Sequence, residues 1–106
     1  VKIEAGAFVC AFTEIADDSF VAPEVALTND NYLGRTEERK KNYKGTTIAR
    51  GGRVGANATV LPGKTIHSDV VAAAGATVTK DIPAGEIRAG IQATRLKDVP
   101  PEQRLP

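Results

Sequence analysis

Residues 48–66 read IARGGRVGANATVLPGKTI, which places Ile48, Val54, Val60 and Ile66 six positions apart. Extended outward, the same spacing collects Ile3, Val9, Ile15, Val21 and Leu27 before a break, and Ala72 and Val78 after it. Ten of these eleven positions are Val, Ile or Leu, residues that make up only about a fifth of the chain, so chance is a poor explanation. A helix repeats its apolar face at 3.6 residues and a strand at two, so a period of six fits neither alone. Short strands separated by corners do fit. The fifth residue of each hexapeptide is also small or apolar (Ala7, Thr13, Ser19, Val25, Gly52, Ala58, Val70, Ala76 and Ile82) and shares the inward face of its strand with the next first residue. Lys64 is the misfit at a fifth position, and its stem is expected to carry the charge outward. Corners fall at Asp17-Asp18, Gly55-Ala56-Asn57, Pro62-Gly63, Ser68-Asp69 and Gly75, residues that tolerate tight or left-handed backbone. Three strands and three corners make a triangular coil of eighteen residues, and stacked coils make an all-β parallel β-helix.

Length and composition agree with one domain. The chain has 106 residues, 42% of them hydrophobic, with 5% aromatics and no Trp, which suits a narrow interior of aliphatic side chains. A net charge of +1 implies no broad basic face for nucleic acid. The single cysteine, Cys10, excludes an internal disulfide and a cysteine metal cluster, and points to the cytoplasm. No run approaches the roughly twenty apolar residues that cross a bilayer. The repeats occupy residues 1–83 with a loop at 30–47, and residues 84–106 form a strand over Ile87–Ile91 followed by a helical or irregular capping tail. Because Val1 already lies in the repeat pattern, the N-terminal coil end is expected to be covered by another subunit.

From Thr47 to Lys97, the run just quoted and the later AGATVTKDIP (Ala74 to Pro83) resemble the closing coils of the left-handed β-helix acyltransferases. Upstream, Val1-Lys2-Ile3, the stretch Asp17 to Pro23, and Leu27-Thr28-Asn29-Asp30 resemble the branch that N-acetylates 3-amino sugars carried on nucleotide diphosphates, here as an N-terminally truncated member. The resemblance implies a left-handed coil, acetyl-CoA as cosubstrate, no metal, and a homotrimer with each site between subunits. It implies coenzyme contacts from Ala56 and Ala74 through their backbones, from Thr79 and Lys80 beside the nucleotide, and from Arg95 to a phosphate, a group well matched by a guanidinium fork. Asn29 and Asp30 fall at the sugar end as the candidate catalytic residues. A deprotonated amine attacks a thioester without the strong base a hydroxyl needs, so positioning carries much of the rate. The bland alternatives are surface charge for Lys80 and Arg95 and a simple turn for Asn29-Asp30.

Departures from the family fall mainly in the sugar half. Ala5-Gly6 and Cys10-Ala11-Phe12 stand where that branch places polar groups, and Leu33-Gly34-Arg35 replaces its usual Pro-Arg. Nothing in the sequence supplies a base or cation to activate Cys10. His67, the only histidine, falls at a corner and is read as an exposed corner residue, and one histidine is too few for the β-helical carbonic anhydrases. The alternative function is a catalytically inactive β-helix that serves as an oligomeric binding or assembly module.

Overall fold

A two-residue strand has too few hydrogen bonds to persist alone, so each must find its partner one coil away. The computed structural model describes residues 1–106 and winds them into a three-sided prism of 47 × 25 × 21 Å. Its strands are β1 (Lys2–Ile3), β2 (Glu14–Ile15), β3 (Phe20–Val21), β4 (Ala26–Leu27), β5 (Thr47–Ile48), β6 (Arg53–Val54), β7 (Thr59–Val60), β8 (Thr65–Ile66), β9 (Val71–Ala72), β10 (Thr77–Val78), β11 (Glu86–Ala89) and β12 (Thr94–Asp98). The first side stacks β1-β3-β6-β9-β11-β12, the second β4-β7-β10 and the third β2-β5-β8. All pairings are parallel except that of β11 with β12. The ladder is regular: Ala22 N–H donates to Val54 O at 2.9 Å, and Gly55 N–H to Ala72 O at 2.7 Å.

The axis is dry. Val21, Leu27, Ile48, Val54, Val60, Ile66, Ala72 and Val78 are at most 1% exposed. Burying each Val, Leu or Ile contributes about 1.5–3 kcal/mol, which offsets the entropy of fixing so many short segments. Fifth positions Val25, Ala58, Val70 and Ala76 are buried beside them, while Lys64 is half-buried. Every corner from the start of the chain to Gly75, except the one that carries the insertion, turns through one residue of positive φ, again six apart within each run: Gly6, Phe12, Asp18 and Glu24, then Gly51, Asn57, Gly63, Asp69 and Gly75. Seven of the nine are Gly, Asn or Asp, the residues that enter this region at least cost.

Three sequence expectations change. Ile82 is not a fifth-position residue: it is fully buried and bridges to Ile66, so it occupies the axis, and the corner before it is two residues short. The early axis residues Ile3 and Val9 are 47% and 39% exposed, because they lie in the terminal coil with no neighbour beyond. The tail is not helical after Ile91: Thr94–Asp98 folds back as β12 against β11, and only Pro101–Gln103 forms a short 3-10 turn. Within residues 84–106, Ile87 and Arg88 pair with Val71 and Ala72, so β11 extends the first side. Arg88 thus takes an axis register and meets Glu86 at 2.9 Å, an ion pair that, with buried Val99, closes the C-terminal end.

The long insertion leaves the corner between the second and third sides. Its neck is tied by Lys44 N–H to Asn29 O at 3.2 Å and by Gly63 N–H to Lys44 O at 2.9 Å, so the excursion closes three residues before the expected 47. Gly45 is needed there, because a Cβ would collide with the Phe12 carbonyl. Inside the loop the Asp30 carboxylate accepts from Tyr32 N–H at 2.9 Å and from Gly34 N–H at 2.8 Å, forming a turn that sets the loop's direction.

Two outcomes follow from these positions. Ile66→Ala is expected to cost about 2–5 kcal/mol in urea denaturation, against under about 1 kcal/mol for Ile3→Ala at the open end. Asp30→Ala is expected to speed amide exchange at Tyr32 and Gly34 while leaving exchange in β6 and β9 unchanged, since the bonds it removes are confined to the loop.

Candidate functional site

Where the loop stands off the prism it encloses, with the second side, a cleft of about 430 Å³. Thr28, Asp30, Asn31 and Leu33 form the loop wall, and Thr59, Leu61 and Pro62 form the prism wall. The floor follows from strand alternation: Val60 points to the axis, so Thr59 and Leu61 point outward. The Thr28 hydroxyl donates to Val60 O at 2.7 Å and fixes the point where the wall leaves the prism.

Both candidate catalytic residues sit at this junction. Asn29 donates from Nδ2 to Ala11 O at 3.2 Å, tying the neck to the preceding coil. Asp30 lines the cleft, but each of its oxygens already accepts a loop N–H. Each oxygen keeps a further lone pair, so a carboxylate held this way can still accept a hydrogen bond from a donor in the cleft. The sequence interpretation of Asn29-Asp30 as a turn and as a site are therefore compatible in one geometry.

The candidate coenzyme residues are spread along the same prism. Ala56 and Ala74 occupy equivalent corners between the first and second sides, linked by Gly75 N–H to Ala56 O at 2.8 Å. The N–H groups of Ala56 and Ala74 find no acceptor within the chain, which leaves two donors on one edge of the second side. Thr79 and Lys80 lie at the opposite edge of that side, just after β10, with Lys80 exposed. Arg95 departs from the pattern: it lies on β12 at the end of the first side, and its guanidinium donates to Asp98 at 2.6 Å. The hydrogen bond and charge of Asp98 raise its pKa further, so it stays charged, and a phosphate would have to compete with Asp98 for it. None of these five residues lines the cleft in a single chain. His67 is exposed at the corner between the third and first sides, its N–H donating to Ile82 O.

Sequence reasoning missed Thr59, Leu61 and Pro62, which come to the loop only because eighteen-residue stacking brings the next coil beneath it. It also missed the stack of Phe12 on Tyr43, whose centroids are 6.3 Å apart with 23° between planes.

No family model matches the chain. It is 31% identical over 88 residues to galactoside O-acetyltransferase of Escherichia coli (strain K12), an alignment covering 80% of this chain and 43% of that protein. Over 44 residues, 42% of this chain and 18% of the relative, it is 46% identical to 2,3,4,5-tetrahydropyridine-2,6-dicarboxylate N-acetyltransferase of Staphylococcus aureus (strain JH9). Among solved structures, a maltose O-acetyltransferase from Clostridium difficile 630 superimposes with a TM-score of 0.78 at 26% identity, over 93% of this chain and 56% of that one. A galactoside acetyltransferase in complex with coenzyme A gives a TM-score of 0.67 at 27% identity, over 85% and 46%. The chain spans about half the length of the galactoside and maltose acetyltransferases it matches. These relatives include O-acetyltransferases of sugars and do not single out the amino-sugar branch. Shared sequence, three parallel sides and an eighteen-residue coil make the chain similar in fold and repeat to these acetyltransferases.

Proposed function

We propose that the chain forms the acyl-transfer part of an acetyl-CoA-dependent acetyltransferase whose working surface is the second side of the prism. The observation that carries this is the alignment of three features on that side: the unpaired Ala56 and Ala74 N–H groups along one edge, Thr79 and Lys80 on the other, and the loop-walled cleft at its N-terminal part. A pantetheine arm is an extended chain with amide groups, and two spare donors eighteen residues apart suit its carbonyls. Lys80 supplies charge for the nucleotide end, and Arg95 serves a phosphate only on leaving Asp98.

In the cleft, an acceptor amine attacks the thioester carbonyl carbon. The tetrahedral intermediate collapses with loss of the coenzyme thiolate, and the proton shed by nitrogen passes to that thiolate or to water. Asp30 orients the acceptor, and Asn29 fixes the neck that carries Asp30 through its bond to Ala11 O. An amine is favoured over a hydroxyl because no histidine is among the residues that line the cleft in one chain, and an amine needs the weaker base. The finer proposal is an amine borne on a nucleotide-linked amino sugar, supported by the Thr28-Asn29-Asp30 run. The relatives that O-acetylate sugars favour a sugar acceptor without choosing its reacting group. Since the coenzyme residues do not share the cleft within one chain, a homotrimer in the cytoplasm, with a neighbouring subunit completing the wall, is part of the proposal.

Calorimetry with coenzyme A tests the reading. Micromolar binding is expected, weakened about three- to tenfold in Lys80→Ala, as suits loss of one partly screened charge contact. Arg95→Ala is expected to weaken it less, because Asp98 competes for the same guanidinium. Absence of binding heat and of any thermal shift would support the inactive scaffold instead. Thiol release with acetyl-CoA and a panel of amino sugars and their hydroxyl counterparts then decides the reacting group.

A further inference from the structure

Leu33 is the most exposed large apolar side chain of the protein, at 88%, and it sits at φ of 52°, a region that bulky residues avoid. The residue after it, also left-handed at 82°, is the glycine such a position ordinarily takes. Neither burial nor backbone preference therefore accounts for a leucine here. It does line the cleft. Its backbone is held on every side: Leu33 N–H donates to Asp30 O at 3.3 Å, the amides of Tyr32 and Gly34 go to the Asp30 carboxylate, and Arg35 N–H donates to Tyr32 O at 3.1 Å. One turn thus carries an acid and a leucine into the same space in a fixed relation. Strain of this kind concentrates at ligand-facing positions.

The rest of the lining agrees in chemistry. Leu61 and Pro62 form the facing wall, Thr28 has spent its hydroxyl proton on Val60 O, and Asn31 and Thr59 are neutral. Asp30 is the one charged residue of the lining, and it makes no ion pair within the chain. The cleft is therefore an apolar slot with a single uncompensated negative charge, at about 430 Å³ on the scale of a small-molecule site. A cation satisfies that charge. A hydroxyl turned toward Leu33 and Leu61 would lose its water without gaining a partner, whereas C–H surface loses nothing there.

We propose that Leu33 is a specificity-determining residue of the acceptor site. With Leu61 and Pro62 it grips the hydrocarbon face beside an ammonium held by Asp30, so the site takes primary amines whose neighbouring carbons present C–H rather than hydroxyl to the loop. This deepens the acetyltransferase reading and rests on it for turnover, while binding of the amine does not depend on it.

The chain has five leucines, Leu27, Leu33, Leu61, Leu96 and Leu105, so methyl NMR of leucine-labelled protein reports on the cleft with three internal controls. Cyclohexylamine, charged near neutral pH, is expected to shift the Leu33 and Leu61 methyls saturably and to leave Leu27, Leu96 and Leu105 in place. Its uncharged counterpart cyclohexanol is expected to need about tenfold more, for want of the charge-assisted bond to Asp30. Leu33→Asn and Leu33→Gly both suit the left-handed backbone and are expected to fold, yet to weaken cyclohexylamine about tenfold as read at Leu61. Leu33→Met keeps the apolar contact and is expected to bind within about twofold of the parent. In turnover with acetyl-CoA, the Asn and Gly variants are expected to lower the preference for cyclohexylamine over ethanolamine, as a ratio of kcat/KM, about tenfold. The proposal is overturned if the amine leaves Leu33 and Leu61 unmoved, if cyclohexanol binds equally well, or if the Asn and Gly variants keep the parent affinity. It is equally overturned if coenzyme A alone moves the two methyls, which gives the slot to the cosubstrate, or if the variants dissociate an oligomer, which gives Leu33 to a neighbouring subunit. Absence of acetyl transfer to every amine, with cyclohexylamine still bound at Leu33, would overturn the acetyltransferase reading and leave the amine site standing.

Discussion

The backbone ladder between coils is the constraint on which the rest of the molecule depends. Each two-residue strand donates to carbonyls of the next coil, so the chain must return to the same place after a whole turn of three sides, and every corner must consume the same number of residues. A left-handed residue at each corner meets that requirement, and a dry column of Val, Leu and Ile holds the coils in register. Where one corner is two residues short, before Ile82, the axis residue changes its place in the hexapeptide and the prism soon ends in the Glu86–Arg88 pair.

A scaffold so regular concentrates chemistry at its exceptions. The loop is extruded at one corner and at one coil, and its neck is stitched to the coils on both sides through Asn29, Lys44 and Gly63. The cleft exists because a rigid outer face lies under a wall that the fold itself does not need. Asp30 gives that wall its direction by accepting two loop amides, which turns a residue chosen for reactivity in sequence terms into one that shapes the site.

Much of this was legible in the order of residues. The six-residue period named the interior from Val21 to Val78, and the corners at Asp18, Asn57, Gly63, Asp69 and Gly75 turn with positive φ as their chemistry suggests. Ile3 and Val9 keep the period yet are exposed, in the terminal coil whose end the repeat pattern already marked as one needing a cover. Periodicity could not register the short corner before Ile82, since an apolar residue two places early still satisfies an inward position. Thr94–Asp98 was unreadable as a strand because it is wholly exposed and its partner, β11, supplies the only reason for its conformation. The cleft was half visible: Asp30 announced itself by motif, whereas Thr59, Leu61 and Pro62 are ordinary repeat residues until the loop is placed over them. Arg95 looked free for a phosphate, and only the folded tail shows Asp98 beside it.

The most direct test of the second side as the working surface is amide exchange at Ala56 and Ala74 by NMR, with and without coenzyme A. These two N–H groups have no acceptor within the chain, so they exchange freely alone. If the coenzyme lies along this face, it slows both amides together while those of β5 and β8 on the third side stay as they were. Unchanged exchange at both, with coenzyme A bound and protection appearing instead around β12, would contradict the account.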